Sequence, residues 1–195
     1  IIIPDDMYHG SRSILDTFAD RWGIAYSSVD TTDLEAFAAA IKPETKLALL
    51  ETPSNPLLLI TDLEKTIHVA HQQGVMVCVD NTFSSPYNTN PIAYGADFVM
   101  HSTSKFLGGH SDIIGGAIVS AKADEHFDAI RTIQRKQGSV PSPFDCWLLA
   151  RSIRSFPHRM RMHNQNAWEI TQFLESHEVV DQVYYPGLPN HNGHE

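Results

Sequence analysis

The sequence predicts an α/β layered domain with a mixed, mostly parallel sheet between helices. Three observations carry this. Apolar periodicity switches repeatedly between short β-rich runs and longer helical patterns, as alternating sheet and helix layers require. Val75 to Val79 is a nearly continuous apolar run, the pattern of a parallel strand covered on both faces. With 195 residues and 42% apolar side chains, the chain can bury one sizeable core, so one domain or one and a fraction is expected.

The elements follow in order. Ile1 to Ile3 reads as the end of a strand, and Ser11 to Trp22 as a helix with Ile14, Leu15, Phe18 and Trp22 on one face. Ile24 to Val29 is the next strand, and Thr32 with Glu35 has capping-box spacing for a helix to Ile41. Leu47 to Glu51 is a strand ending in Thr52-Pro53-Ser54-Asn55-Pro56, where two prolines stop either regular element and stiffen the loop. Thr61 and Glu64 repeat the capping-box spacing for a helix through His71 that Gly74 is placed to end. The apolar strand from Val75 stops on Asp80. Asp97 to His101 is a further short strand, Ser102 to Asp112 a polar, glycine-bearing loop, and Ile114 to Ser120 a strand. From Ala123 the pattern is mainly helical, with breaks at Pro141-Ser142-Pro143 and Pro157, and Val179 to Tyr185 resumes as a strand.

Composition excludes several function classes. Fourteen basic against twenty-three acidic side chains give a formal charge of −9, which argues against a nucleic-acid surface. The densest basic stretch, Arg151 to Arg161, reads as an amphipathic helix with a solvated or subunit-facing side. No apolar run approaches the roughly 18 to 20 residues of a membrane helix, so no membrane partner is expected. Cys78 and Cys146 are isolated thiols with no CxxC spacing, which points to a reducing, cytoplasmic setting. The chain opens on Ile1, inside a strand, so residues are expected to be missing at its front.

Chemistry concentrates at the strand ends. Asp80 closes one apolar strand and Lys105 follows another 25 residues later, so both can face one sheet edge, where ligands of open α/β sheets bind. Separately, such an Asp also serves as a loop hydrogen-bonder and such a Lys as a solvated charge. Together they are the pair that pyridoxal chemistry needs: an amine to form the aldimine, and a carboxylate to keep the pyridine nitrogen protonated. Ser102 and Ser104 are suitable donors for a phosphate beside that lysine. Tyr8 is placed to stack on the ring and Asn55 to hydrogen-bond its phenolic oxygen.

Rival motifs are incomplete. Ser102-Thr103-Ser104-Lys105 satisfies SxxK, the nucleophile motif of penicillin-recognising enzymes, but Ser111-Asp112 is followed by Ile113 instead of Asn, and no Lys-Thr-Gly occurs. The glycines at 108, 109, 115 and 116 fit neither a Walker loop nor a dinucleotide fingerprint. His191, His194 and Glu195 read as a solvated tail, and His101 and His110 lack ligand spacing, so no metal is expected.

Six segments, in order, resemble the cystathionine γ-synthase and γ-lyase family of pyridoxal-phosphate enzymes. They are Asp5-Asp6-Met7-Tyr8-His9-Gly10, Glu51 to Pro56, Val79 to Phe83 with Ser85-Pro86-Tyr87, His101 to Asp112, Val140 to Cys146, and Tyr185 to Pro189. The resemblance runs over essentially the whole chain. It implies the large domain of a three-layer, aspartate-aminotransferase-like type I pyridoxal-phosphate enzyme over residues 1–150. Residues 151–195 would then be the linking helix and the start of a small C-terminal domain. It further implies that Lys105 is the aldimine lysine and a proton carrier and Asp80 the pyridinium partner. Ser102 and Ser104 would be phosphate ligands, Tyr8 a stacking and proton-shuttling residue, and Asn55 a contact to cofactor and substrate.

The chain departs from the family pattern at two places. His9 stands where a second glycine is common, and Ser13 where an arginine is common, leaving Arg12 to take that substrate contact one residue early. The implied activity is γ-replacement on O-acylhomoserine by cysteine, giving cystathionine, with γ-elimination of the cystathionine γ-lyase or methionine γ-lyase type as the alternative. A non-catalytic assembly piece is the remaining reading. The implied assembly is a homotetramer built as a dimer of dimers.

Overall fold

The computed structural model describes residues 1–194, so Glu195 and its share of the C-terminal His-rich tail lie outside the described residues. Six strands form one sheet: β1 (Ile2–Pro4), β2 (Ser27–Val29), β3 (Leu47–Glu51), β4 (Met76–Asp80), β5 (Phe98–Ser102) and β6 (Gly116–Ser120). Their order is β2-β1-β3-β4-β5-β6. All neighbours run parallel except β5 and β6, which pair antiparallel. The helices are α1 (His9–Trp22), α2 (Leu34–Ala40), α3 (Leu63–Gln72), α4 (Ser85–Asn88), α5 (Glu125–Gln137), α6 (Pro143–Ile153) and α7 (Phe156–Glu175). None of them is long and apolar enough to cross a membrane.

Alternation along the strands sorts side chains between two layers. Ile2, Ala48, Leu50, Val77 and Val79 face α2 and α3, where they pack with Phe37, Leu63, Ile67 and Ala70 into the main core. Ile3 points the opposite way and packs with Met7 and with Leu15 of α1, against Leu49. Cys78 lies on the Met76 and Asp80 side of β4, and burial, then the nearby Asp80 and Asp97 carboxylates, push its thiol up to about 12, so it stays protonated and inert. Because side chains alternate, the register that pairs Leu50 with Val79 in the core also sets Glu51 beside Asp80 at the strand ends.

The structure departs from the sequence-based reading in several places. Both helix caps fall one residue later: Asp33 accepts hydrogen bonds from the Glu35 and Ala36 amides, and Asp62 from that of Lys65. An aspartate directly follows each threonine and is the stronger cap; Thr32 instead donates to Asp30 through its amide and hydroxyl. Replacing Asp33 by alanine is expected to lower unfolding free energy by about 1 kcal/mol, read as a shift in urea midpoint. The stretch from Val179 to Tyr185 forms no strand. It has no ladder partner, and Val179 is 75% exposed. Strand β2 covers only the end of Ile24 to Val29, and α1 begins at His9 instead of Ser11. Pro157 does break the helical run, but by opening α7 within its first two positions, where its missing N–H costs nothing.

Candidate active site

The carboxyl ends of β1, β3, β4 and β5 lie along one edge of the sheet, and these ends and the segments leaving them carry the sequence-predicted site residues. Asp80 is almost fully buried. Its Oδ1 accepts from the Thr82 amide at 3.0 Å and from the Thr82 hydroxyl at 2.5 Å. The same Thr82 oxygen accepts from the Ser102 amide at 2.9 Å, and the Asn81 amide donates to Met100 O at 2.9 Å. One threonine therefore locks the end of β4 to the end of β5, holding Asp80 and Ser102 at fixed separation. No described residue donates to Asp80 Oδ2, which leaves an acceptor for a cationic N–H.

Beyond Ser102 the chain makes a single wide turn, Thr103–Leu107, interrupted at Lys105 by non-helical dihedrals of φ −95° and ψ −129°. Lys105 is exposed, and none of the ion pairs among the described residues involves it. Ser102 is half-buried and its hydroxyl has no partner among the described residues. Ser104 Oγ accepts from the Gly115 amide at 2.9 Å, which binds the turn to the approach of β6. Next to Ser102, His101 is buried with Nδ1 unpaired, and burial holds its pKa below the usual imidazole value.

Tyr8 lies at the N-terminus of α1, half exposed. A Cβ on Gly10 would stand 2.5 Å from the edge of the Tyr8 ring, so a glycine two residues on is what lets the ring lie back over the helix start. The Tyr8 amide donates to Glu51 Oε2 at 2.9 Å. Asn55 is half-buried in the proline loop after β3. That loop is bound to the β1–α1 connection by Asp6, which accepts from the Ser54 hydroxyl and, at 3.0 Å, from the Leu57 amide. Arg12 stands apart from this set. Its guanidinium donates to Pro4 O at 3.0 Å, Asp5 O at 2.9 Å and Ser28 Oγ at 3.3 Å, clasping the end of β1.

Glu51 was not singled out by the sequence, although it carries the same signal as Asp80: an acid closing an apolar strand just before a structured loop. It is 7% exposed. Burial, together with the Asp80 and Asp6 carboxylates, pushes it up to about 7, against the opposing pull of the Tyr8 and Asn55 amides. Thr82 was also missed, because its role exists only across two strands. A cleft of about 920 Å³ opens between the β3–α3 loop and α7, lined by Thr52, Phe83, Phe106, Met160, His163 and Tyr185 among others. Neither Asp80 nor Lys105 lines it, so this cleft and the reactive groups are separate features.

This set of residues fits pyridoxal phosphate on the chemistry of its donors: an uncommitted amine, a buried carboxylate with a free oxygen, unpaired hydroxyl capacity and an exposed aromatic ring on one sheet edge. The family model described as Cys/Met metabolism PLP-dependent enzyme matches residues 1–195. The chain belongs to that family. Its cofactor is therefore pyridoxal phosphate, and the mixed, mostly parallel sheet is the one this Cys/Met metabolism family is built on.

Individual relatives agree. A probable cystathionine gamma-synthase of Herpetosiphon aurantiacus is 45% identical over 194 residues, covering 100% of this chain and 60% of that protein. A cystathionine beta-lyase of Lactococcus lactis subsp. cremoris is 45% identical over 195 residues, covering 100% of this chain and 51% of that protein. The crystal structure of cystathionine gamma synthase from Xanthomonas oryzae pv. oryzae in complex with aminoacrylate and cysteine has a TM-score of 0.95. It is 42% identical and is covered to 50%, against 99% of this chain. The chain thus spans about half the length of most of these relatives.

Proposed function

We propose that this chain is the cofactor-binding part of a transsulfuration enzyme that makes cystathionine by γ-replacement on an O-acylhomoserine, with cysteine as the incoming thiol. The observation that carries the reading is the Asp80–Thr82–Ser102 hydrogen-bonded link with the unpaired Lys105 on the turn that follows it. In this reading residues 1–150 form the large domain, and residues 151–195 the linking helix and the start of a C-terminal domain.

When bound, pyridoxal phosphate supplies an electron sink for negative charge at the substrate's α carbon. Asp80 holds the proton on the ring nitrogen through its free oxygen. The Ser102 and Ser104 hydroxyls hold the phosphate, Ser104 by turning its one proton away from Gly115 O, 3.4 Å away, while still accepting from the Gly115 amide. Tyr8 covers the ring face, and Asn55 contacts cofactor and substrate from the proline loop. Lys105, in none of the ion pairs among the described residues, holds the cofactor and moves protons at the α and β carbons. Arg12 is the proposed contact for the substrate carboxylate, in competition with the carbonyls it already clasps.

A γ-elimination reading is favoured by one observation, the 44% identity to a cystathionine gamma-lyase of Bacillus subtilis over 100% of this chain. We propose a homotetramer in the cytoplasm as the working assembly. Support comes from large apolar side chains left exposed on α6, Phe144 at 64% and Trp147 at 58%, and from two free thiols. The deciding experiment incubates the full-length parent with an O-acylhomoserine and cysteine, and separately with cystathionine alone. Cystathionine formation dominating in the first supports the synthase; release of cysteine and a keto acid dominating in the second replaces it with the lyase. Neither product, from protein that binds no cofactor, leaves the non-catalytic reading.

A further inference from the structure

Arg159, near the start of α7, reaches the turn that carries Lys105. Its Nη1 donates to Phe106 O at 2.7 Å, and its Nη2 to Leu107 O at 3.3 Å and to Ser152 O at 3.1 Å. Its Nε donates to Ser155 Oγ at 3.1 Å. One planar fork therefore gathers the two carbonyls directly after Lys105 and ties them to the bend between α6 and α7. Those carbonyls lie at the end of a five-residue turn, where they lack helical partners, and a fixed cation answers both. Gly109 has φ +72°, and a Cβ there would overlap the Arg159 guanidinium, so the backbone is shaped to admit this side chain. A second tie runs in parallel: His110 Nδ1 lies 2.7 Å from Gly108 O and 3.4 Å from Ser152 Oγ.

We propose that Arg159 is a positioning residue that fixes the Lys105 turn, and with it the direction in which the Lys105 amine meets the cofactor. This rests on the reading of Lys105 as the cofactor lysine. Ser104 separately ties the first half of the turn to the approach of β6 through Gly115. What Arg159 adds is a restraint on the two peptide units next to the lysine.

The test uses the full-length parent with Arg159→Met, Arg159→Lys and, as a control, Asn164→Ala. Asn164 is also on α7 but bonds Asn88, at 2.7 Å, away from the turn. Pyridoxal-phosphate dissociation constant, the pH midpoint of the visible absorption band and urea midpoint are measured for each. Losing charge-assisted bonds to two carbonyls is expected to weaken cofactor binding roughly tenfold to a hundredfold in Arg159→Met and to move the pH midpoint. Arg159→Lys keeps the charge but not the fork, so it should recover part of both. Asn164→Ala should lower only the urea midpoint, with binding within about twofold of the parent.

Unchanged affinity and pH midpoint in Arg159→Met, whatever its urea midpoint, overturns the proposal; if that variant does not fold, Arg159→Lys is judged by the same two readouts. Borohydride reduction of the parent, followed by peptide mapping, keeps the two levels apart. Label on a residue other than Lys105 overturns the underlying reading instead, and the Arg159 proposal falls with it.

Discussion

Replacing Lys105 by alanine in the full-length enzyme is expected to abolish borohydride-trappable cofactor and to lower turnover by about 10²- to 10⁴-fold. The chain offers no substitute at that place: the turn from Thr103 to Leu107 contains one amine, and none of the described ion pairs holds it elsewhere. The rest of the site should still bind, since Asp80, Thr82 and Ser102 are linked to one another without Lys105. Pyridoxal phosphate should therefore associate reversibly with the variant and be removed by dialysis. Lys105→Arg separates charge from reactivity. Its guanidinium keeps the positive charge but does not deprotonate, so it should fail as completely as alanine. A Lys105→Ala enzyme with parent-like turnover, or a parent whose reduced cofactor maps elsewhere, would remove Lys105 from the mechanism.

How far the sequence reaches depends on which interactions a feature needs. The alternation that makes Val75 to Val79 a covered strand is local, so β4 and its end at Asp80 are legible, and Lys105 follows from the next strand end in the same way. The helix caps were legible only to within one residue, because Thr32 and Thr61 match the spacing while Asp33 and Asp62 make the better bonds. Val179 to Tyr185 has strand composition, but composition cannot supply a neighbouring strand. Thr82 and Arg159 were invisible for a related reason. Thr82 acts on Ser102 from 20 residues away and Arg159 on Phe106 from 53, and nothing near either residue in the sequence marks the contact.

Glu51 leads to the second large effect, a stability that falls as pH rises through the weakly acidic range. In the folded chain its carboxyl sits 7% exposed, beside Asp80 of β4 and Asp6 of the β1–α1 loop, with the Tyr8 and Asn55 amides on the opposing side; its pKa rises from 4.5 to about 7. Between those two values the folded state holds a proton that the unfolded state has released, so unfolding free energy decreases with pH. At 1.36 kcal/mol per pH unit the full span is worth about 3 kcal/mol, complete by about pH 8. Glu51→Gln removes the titration yet keeps an oxygen for the Tyr8 amide. His101 pulls the other way, since its lowered pKa makes stability rise with pH near 6.5, but it is common to both proteins and cancels in their difference. Urea midpoints of the cofactor-free parent and Glu51→Gln at pH 5 and pH 8 test this. The parent should lose about 2.5 kcal/mol more than the variant over that interval, which begins above the unfolded value. Parallel pH dependences would mean that Glu51 is already ionised at pH 5, and that the Tyr8 amide and solvent stabilise its charge more than Asp80, Asp6 and burial oppose it.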